Sequence, residues 1–110
     1  MNMMFEGEYP DKMQWEEVDE KVWAKVLWLD QRTGSHVRLL RADPGSIDKE
    51  TLKHDFDELV YVLHGQQTSI KTGKVWRPGT VSFFPAGTEH GPFSTQEGIT
   101  CLEFRYYADE

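Results

Sequence analysis

The chain has 110 residues, 19 of them Asp or Glu against 12 Lys or Arg, a formal net charge of -7, and 13% are aromatic. That length suits one domain with one core. The acidic balance and the lack of a basic block exclude an extended nucleic-acid phosphate surface, and the aromatic content argues against disorder. A single cysteine, Cys101, rules out an intramolecular disulfide and any zinc site built from several cysteines. No apolar run approaches the ~18 residues of a membrane span, so a cytoplasmic protein without membrane or nucleic-acid partners is expected.

Residues 1–30 are expected to form an N-terminal arm and first strand, available as a dimer contact, and residues 31–110 a β-barrel. Residues 1–13 read as irregular. Residues 14–20 are dense in charge and suit a short turn or helix. VWAKVLWL (22–29) and HVRLLRA (36–42) are rich in β-branched and aromatic residues and predict a hairpin around Thr33-Gly34. Asp43-Pro44-Gly45-Ser46 ends the second strand, since Pro lacks the ladder donor and Gly admits unusual φ. A strand is predicted from about Leu52 to Leu63, bent near Asp55–Asp57. QQTSIK and KVW flank a Thr72-Gly73 turn, TVSFF precedes the Pro85-Ala86-Gly87 turn, and ITCLEFRYY (99–107) is the last strand. About eight short strands punctuated by Gly and Pro, with no sustained 3.6-residue apolar stripe, predict an all-β, single-domain antiparallel sandwich or barrel.

Two stretches carry the chemistry. In LKHDFDELVYVLHG, His54 and Glu58 share a strand face with Phe56, Val60 and Val62 if the strand is unbroken. That face is mostly apolar and should point inward, where two ionisable groups are costly unless something pairs with them. In GTVSFFPAGTEHGPFS, His90 follows a turn able to aim it at the same point. Two imidazoles and one carboxylate match the ligand set of non-haem Fe(II) enzymes. Zinc accepts the same ligands, and ligand type alone admits Mn(II) or Ni(II).

The spacing of these residues resembles the two motifs of the cupin superfamily. His54, Glu58 and Gly65 follow the end of the first motif, and Gly79, Pro85, Gly87 and His90 follow the second. Within the superfamily, LLRADPG, ELVYVLHG and HGPFSTQEG look most like the cupin domain of ChrR anti-sigma factors, a group that also holds small dioxygenases. The resemblance implies a jelly-roll barrel, a divalent ion (Fe(II) favoured) on His54, Glu58 and His90, a small-molecule substrate, and a homodimer in which N-terminal strands add to the partner's sheet. It implies a pocket lined by Leu52, Phe56, Val60, Leu102 and Phe104. Two departures stand out: Leu52 falls where such cupins usually carry the first histidine of a His-x-His pair, and Ser94 where Asn is common. The leading expectation is therefore a metal-dependent enzyme with a three-ligand site, in its most concrete form an Fe(II) dioxygenase. The alternative is a ligand- or metal-sensing module, metal-free because of Leu52.

Other ionisable residues read as structural. His64, six residues beyond Glu58 and so about 20 Å along a strand, belongs to the strand end, and His36 to the surface. Cys101 reads as a packing residue rather than a nucleophile, and Glu103 as exposed or paired with a Lys or Arg.

Overall fold

The computed structural model describes residues 4–108; the outermost ends of the two expected segments, 1–3 and 109–110, lie outside them. Eleven strands are present: β1 (Glu16–Asp19), β2 (Val22–Leu29), β3 (His36–Ala42), β4 (Leu52–Lys53), β5 (Asp57–Gly65), β6 (Gln67–Ser69), β7 (Val75–Trp76), β8 (Val81–Phe84), β9 (Glu89–His90), β10 (Phe93–Ser94) and β11 (Ile99–Tyr106). The only helical element among the described residues is one 3-10 turn at Pro10–Lys12, and no helix is long and apolar enough to cross a membrane.

All pairings are antiparallel. Six strands form one sheet in the order β1-β2-β3-β11-β5-β8, three form a second in the order β10-β6-β7, and β4 pairs with β9. The β2–β3 hairpin forms where expected. Asp30 organises its turn, accepting the Arg32 N–H on Oδ1 at 2.9 Å and the Gly34 N–H on its carbonyl at 2.8 Å. The central strand is β11, which pairs along its length with β3 and β5. Its residues Ile99 and Cys101 join Val60, Val62 and Trp76 in the buried core, with Ala42, Phe84 and Phe93 packed around them. The smaller sheet thus lies over the interior face of the larger one, giving the antiparallel jelly roll that the strand pattern predicts.

Two expectations about local structure are corrected. Residues 16–19 form an edge strand on β2 rather than a turn or helix. All four are exposed, so no apolar alternation marks them; what makes them a strand is the row of backbone donors and acceptors along β2. The continuous strand predicted for 52–63 is broken at His54–Phe56. β4 pairs with β9, whereas β5 belongs to the large sheet, so the chain changes sheets between the two.

Candidate metal centre and its cavity

The break between β4 and β5 changes the reason His54 and Glu58 meet. They are not neighbours on one strand face; the two sequence motifs are stitched together by hydrogen bonds. The Gly87 N–H donates to the His54 carbonyl and the Ala86 N–H to Asp57 Oδ1, both at 2.8 Å. Leu52 stands directly opposite His90 in the β4–β9 pair. The Pro85-Ala86-Gly87 turn is thereby docked on the 54–57 connection, and His54, Glu58 and His90 each present a donor atom within 4.8 Å of the other two.

Glu58 is 3% exposed. Its Oε2 accepts a hydrogen bond from Arg105 Nε at 2.8 Å, and its Oε1 lies 3.8 Å from His90 Nε2. The His90 ring stacks on Phe84 with centroids 4.1 Å apart, and the His54 ring stacks on Phe56 at 4.5 Å. Arg105 covers the Phe56 ring at 4.6 Å. Each ligand side chain is therefore fixed by an aromatic ring or a guanidinium.

Burial pushes the Glu58 carboxyl up to about 7, reinforced by nearby Glu103 and opposed by Arg105. Burial also holds both imidazoles below the usual histidine value, with Arg105 adding to this at His54 and the Thr88 backbone opposing it at His90. Neutral imidazoles are the form that binds metal.

The residues fit a divalent ion. Three O and N donors converge, and among the described residues His90 Nδ1 is the buried side-chain polar atom without a well-formed hydrogen bond. Metal–ligand bonds of about 2.0–2.2 Å at tetrahedral or facial angles place donors about 3.0–3.6 Å apart, so side-chain shifts on the order of 1 Å close a set that lies within 4.8 Å. Leu52, half-buried, sits where a fourth imidazole would come from, which leaves a three-ligand arrangement.

A cavity of about 320 Å³ adjoins the cluster, within the size range of small-molecule sites. Leu52 and Val60 line it as expected. Phe56 is buried behind His54, backing the ligand rather than the cavity. Leu102 and Phe104 are corrected: they lie on the outer face of β11, and Phe104 is 45% exposed. The residues of β11 that face inward are Ile99, Cys101, Glu103 and Arg105. Both alternations along ITCLEFRYY contain apolar side chains, and the more apolar one is outside, so parity by itself points the wrong way.

The inverted parity hid the charged wall of the cavity, made of Arg105, Glu103 and Arg38. Glu103 is buried and paired, as one reading of it allowed, its Oε1 accepting from Arg38 Nε at 2.7 Å. The usable signal was Glu103 and Arg105 two residues apart in the middle of an apolar strand, where charge is expensive unless paired. Asp48 also lines the cavity and accepts the Phe93 N–H at 2.9 Å. Cys101 is buried in the core, and burial raises its thiol far above the usual value, as suits a packing residue.

The model of the ChrR cupin-like domain matches residues 8–107. No curated protein sequence gives a significant match. Among solved structures, an RmlC-like cupin from Shewanella frigidimarina superposes with a TM-score of 0.79 at 17% identity, covering 100% of this chain and 97% of that one. The polyketide cyclase RemF from Streptomyces resistomycificus gives 0.76 at 19% identity, covering 96% and 81%. KdgF from Halomonas sp. gives 0.73 at 18% identity, covering 92% and 93%. At these identities the neighbours establish the fold alone. With the family model spanning nearly the whole chain and both motifs meeting at one cavity, this protein belongs to the ChrR cupin-like family.

Proposed function

We propose that the protein binds a divalent metal ion through His54, Glu58 and His90 and acts on a small oxygen-bearing organic molecule held in the adjoining cavity. The observation that carries this reading is the convergence of the three donors beside a cavity of about 320 Å³. An ion there supplies polarisation of a ligand oxygen and, if it is Fe(II), a means of activating O2. The chain's own residues do the rest. Arg105 holds Glu58 Oε2, which leaves Oε1 to face the histidines, and such outer contacts fix ligand orientation and basicity. Trp76, Phe84 and Phe93 supply an apolar wall to the cavity. An Fe(II) dioxygenase reaction is the concrete form put to test.

One observation favours a second reading, a metal-free ligand-binding module: Glu58 already has a cation, Arg105, and Leu52 faces His90. Elemental analysis after metal-replete expression separates the two. About one iron per chain, with O2 uptake on hydroxy-ketones or diketones, supports the first. A chain that holds no divalent ion selects the second.

The pH dependence of metal binding follows from the site. Near neutrality both imidazoles are already neutral, so the group that must give up a proton is Glu58, whose carboxyl sits at about 7. Metal competes with that proton, so apparent affinity rises as pH climbs through about 7 and levels off above it. Calorimetry in buffers of different ionisation enthalpy should find proton release on ion binding that falls away as pH rises through about 7 and is almost absent above about pH 8. Affinity independent of pH over that range would remove Glu58 as a ligand.

A further inference from the structure

The interior wall of the large sheet holds charges that a three-ligand site does not use. Arg105 stands opposite Glu58 in the β5–β11 pair, and Arg38 stands opposite Glu103 in the β3–β11 pair. Arg38 Nε donates to Glu103 Oε1 at 2.7 Å, and Arg105 Nη2 lies 3.6 Å from the same oxygen. The side chains of Arg38, Glu103 and Arg105 are 14%, 6% and 16% exposed, and all three line the cavity.

Buried ion pairs contribute little net stability, because desolvation offsets their attraction. Apolar residues at these positions would serve folding as well. Each guanidinium has five N–H donors, yet Arg38 spends one on Glu103, and Arg105 uses only Nε and one Nη. The remaining groups make no further hydrogen bond among the described residues, and both arginines line the cavity. Arg38 and Arg105 balance Glu58 and Glu103, and a divalent ion on Glu58 would be balanced by Asp48 and Asp19, which line the same cavity.

We propose that the cavity recognises a short hydroxy- or oxo-carboxylic acid, its carboxylate on the open edges of Arg38 and Arg105 and its second oxygen toward the His54–Glu58–His90 cluster. This rests on the metal reading above. Guanidinium edges match a carboxylate's two oxygens, and Glu103 between them accepts from a ligand hydroxyl. With the cavity's charges in balance and Glu103, Asp48 and Asp19 close by, a monoanion is favoured over a phosphate dianion.

The test uses the full chain loaded with Ni(II) and dialysed, titrated calorimetrically with lactate and pyruvate, with propylene glycol and hydroxyacetone as uncharged counterparts, and with inorganic phosphate. The acids should bind and the neutral compounds and phosphate should not. Arg38→Gln should keep its nickel and lose about tenfold or more in acid affinity, and Arg38→Lys should recover part of it. A chain that holds no nickel overturns the metal reading and this one with it. A loaded chain that prefers phosphate, binds neutral compounds as well as acids, or is unaffected by Arg38→Gln overturns this one alone.

Discussion

Glu58→Gln should leave the protein folded but unable to hold a stoichiometric ion. The substitution keeps the shape of the side chain and an oxygen for Arg105 Nε, which now donates to Glu58 Oε2 at 2.8 Å. It removes the negative charge, and burial already disfavours that charge, as the carboxyl's rise to about 7 records. Arg105 retains Glu103 at 3.6 Å, so no cation is stranded. Metal binding, by contrast, loses its only anionic donor. Disturbing residues that merely orient a ligand costs about 10–100-fold in affinity, so removal of a ligand's charge should cost at least that. Metal content after dialysis and calorimetric affinity measure the effect, with the dichroism spectrum as the control for folding. Retention of one ion per chain would mean that Glu58 serves Arg105 alone.

Gly65→Ala should be among the most destabilising single changes in the chain. Gly65 ends β5 opposite Ile99 with φ +77, in the left-handed region, where the register of β5 and β11 shifts between Thr100 and Cys101. A Cβ there would overlap the Gly98 carbonyl oxygen and meet the Gly98 carbonyl carbon at 2.8 Å and the Ile99 Cα at 2.9 Å. These are backbone atoms at the start of the central strand and in the residue before it, and they cannot rotate away. Left-handed strain alone costs about 1–2 kcal/mol, and forcing two paired strands apart should bring the total above about 3 kcal/mol, a large share of the ~5–15 kcal/mol that holds a domain together. Thermal unfolding should fall by roughly 10 °C or more. Gly73→Ala is the internal control: its φ is also +77 but nothing lies within 4 Å, so it should show the strain without the collision. Equal losses at the two positions would remove the collision from the explanation.

The same glycine shows what kind of information the sequence carried. Its place after Glu58, with six residues between, marked it as part of a motif, but the reason for it is the approach of Gly98, just before β11 and more than thirty residues away. The group that could hold a metal was legible in a similar sense. His54, Glu58 and His90 could be named from spacing, while the bonds that gather them, Gly87 to His54 and Ala86 to Asp57, depend on a turn folding back onto the β4–β5 connection. The strand-parity argument for His54 reached the right residue by a route the fold does not take.

By itself the sequence determined the all-β class, the β2–β3 hairpin, the Gly and Pro turns and the three converging ligands, because these rest on local backbone preference and on residue types that few other patterns tolerate. Only the tertiary structure decided that the charged residues at 16–19 form an edge strand, that the chain changes sheets at His54–Phe56, and that β11 turns Glu103 and Arg105 inward and Leu102 and Phe104 outward. Each of these depends on which surface a strand is offered, a neighbour's hydrogen-bonding edge or a covering sheet. Alternation along a strand separates two faces but does not say which one is covered. In this chain the uncovered face is the more apolar, so the charged wall of the cavity came into view only once the sheets were packed.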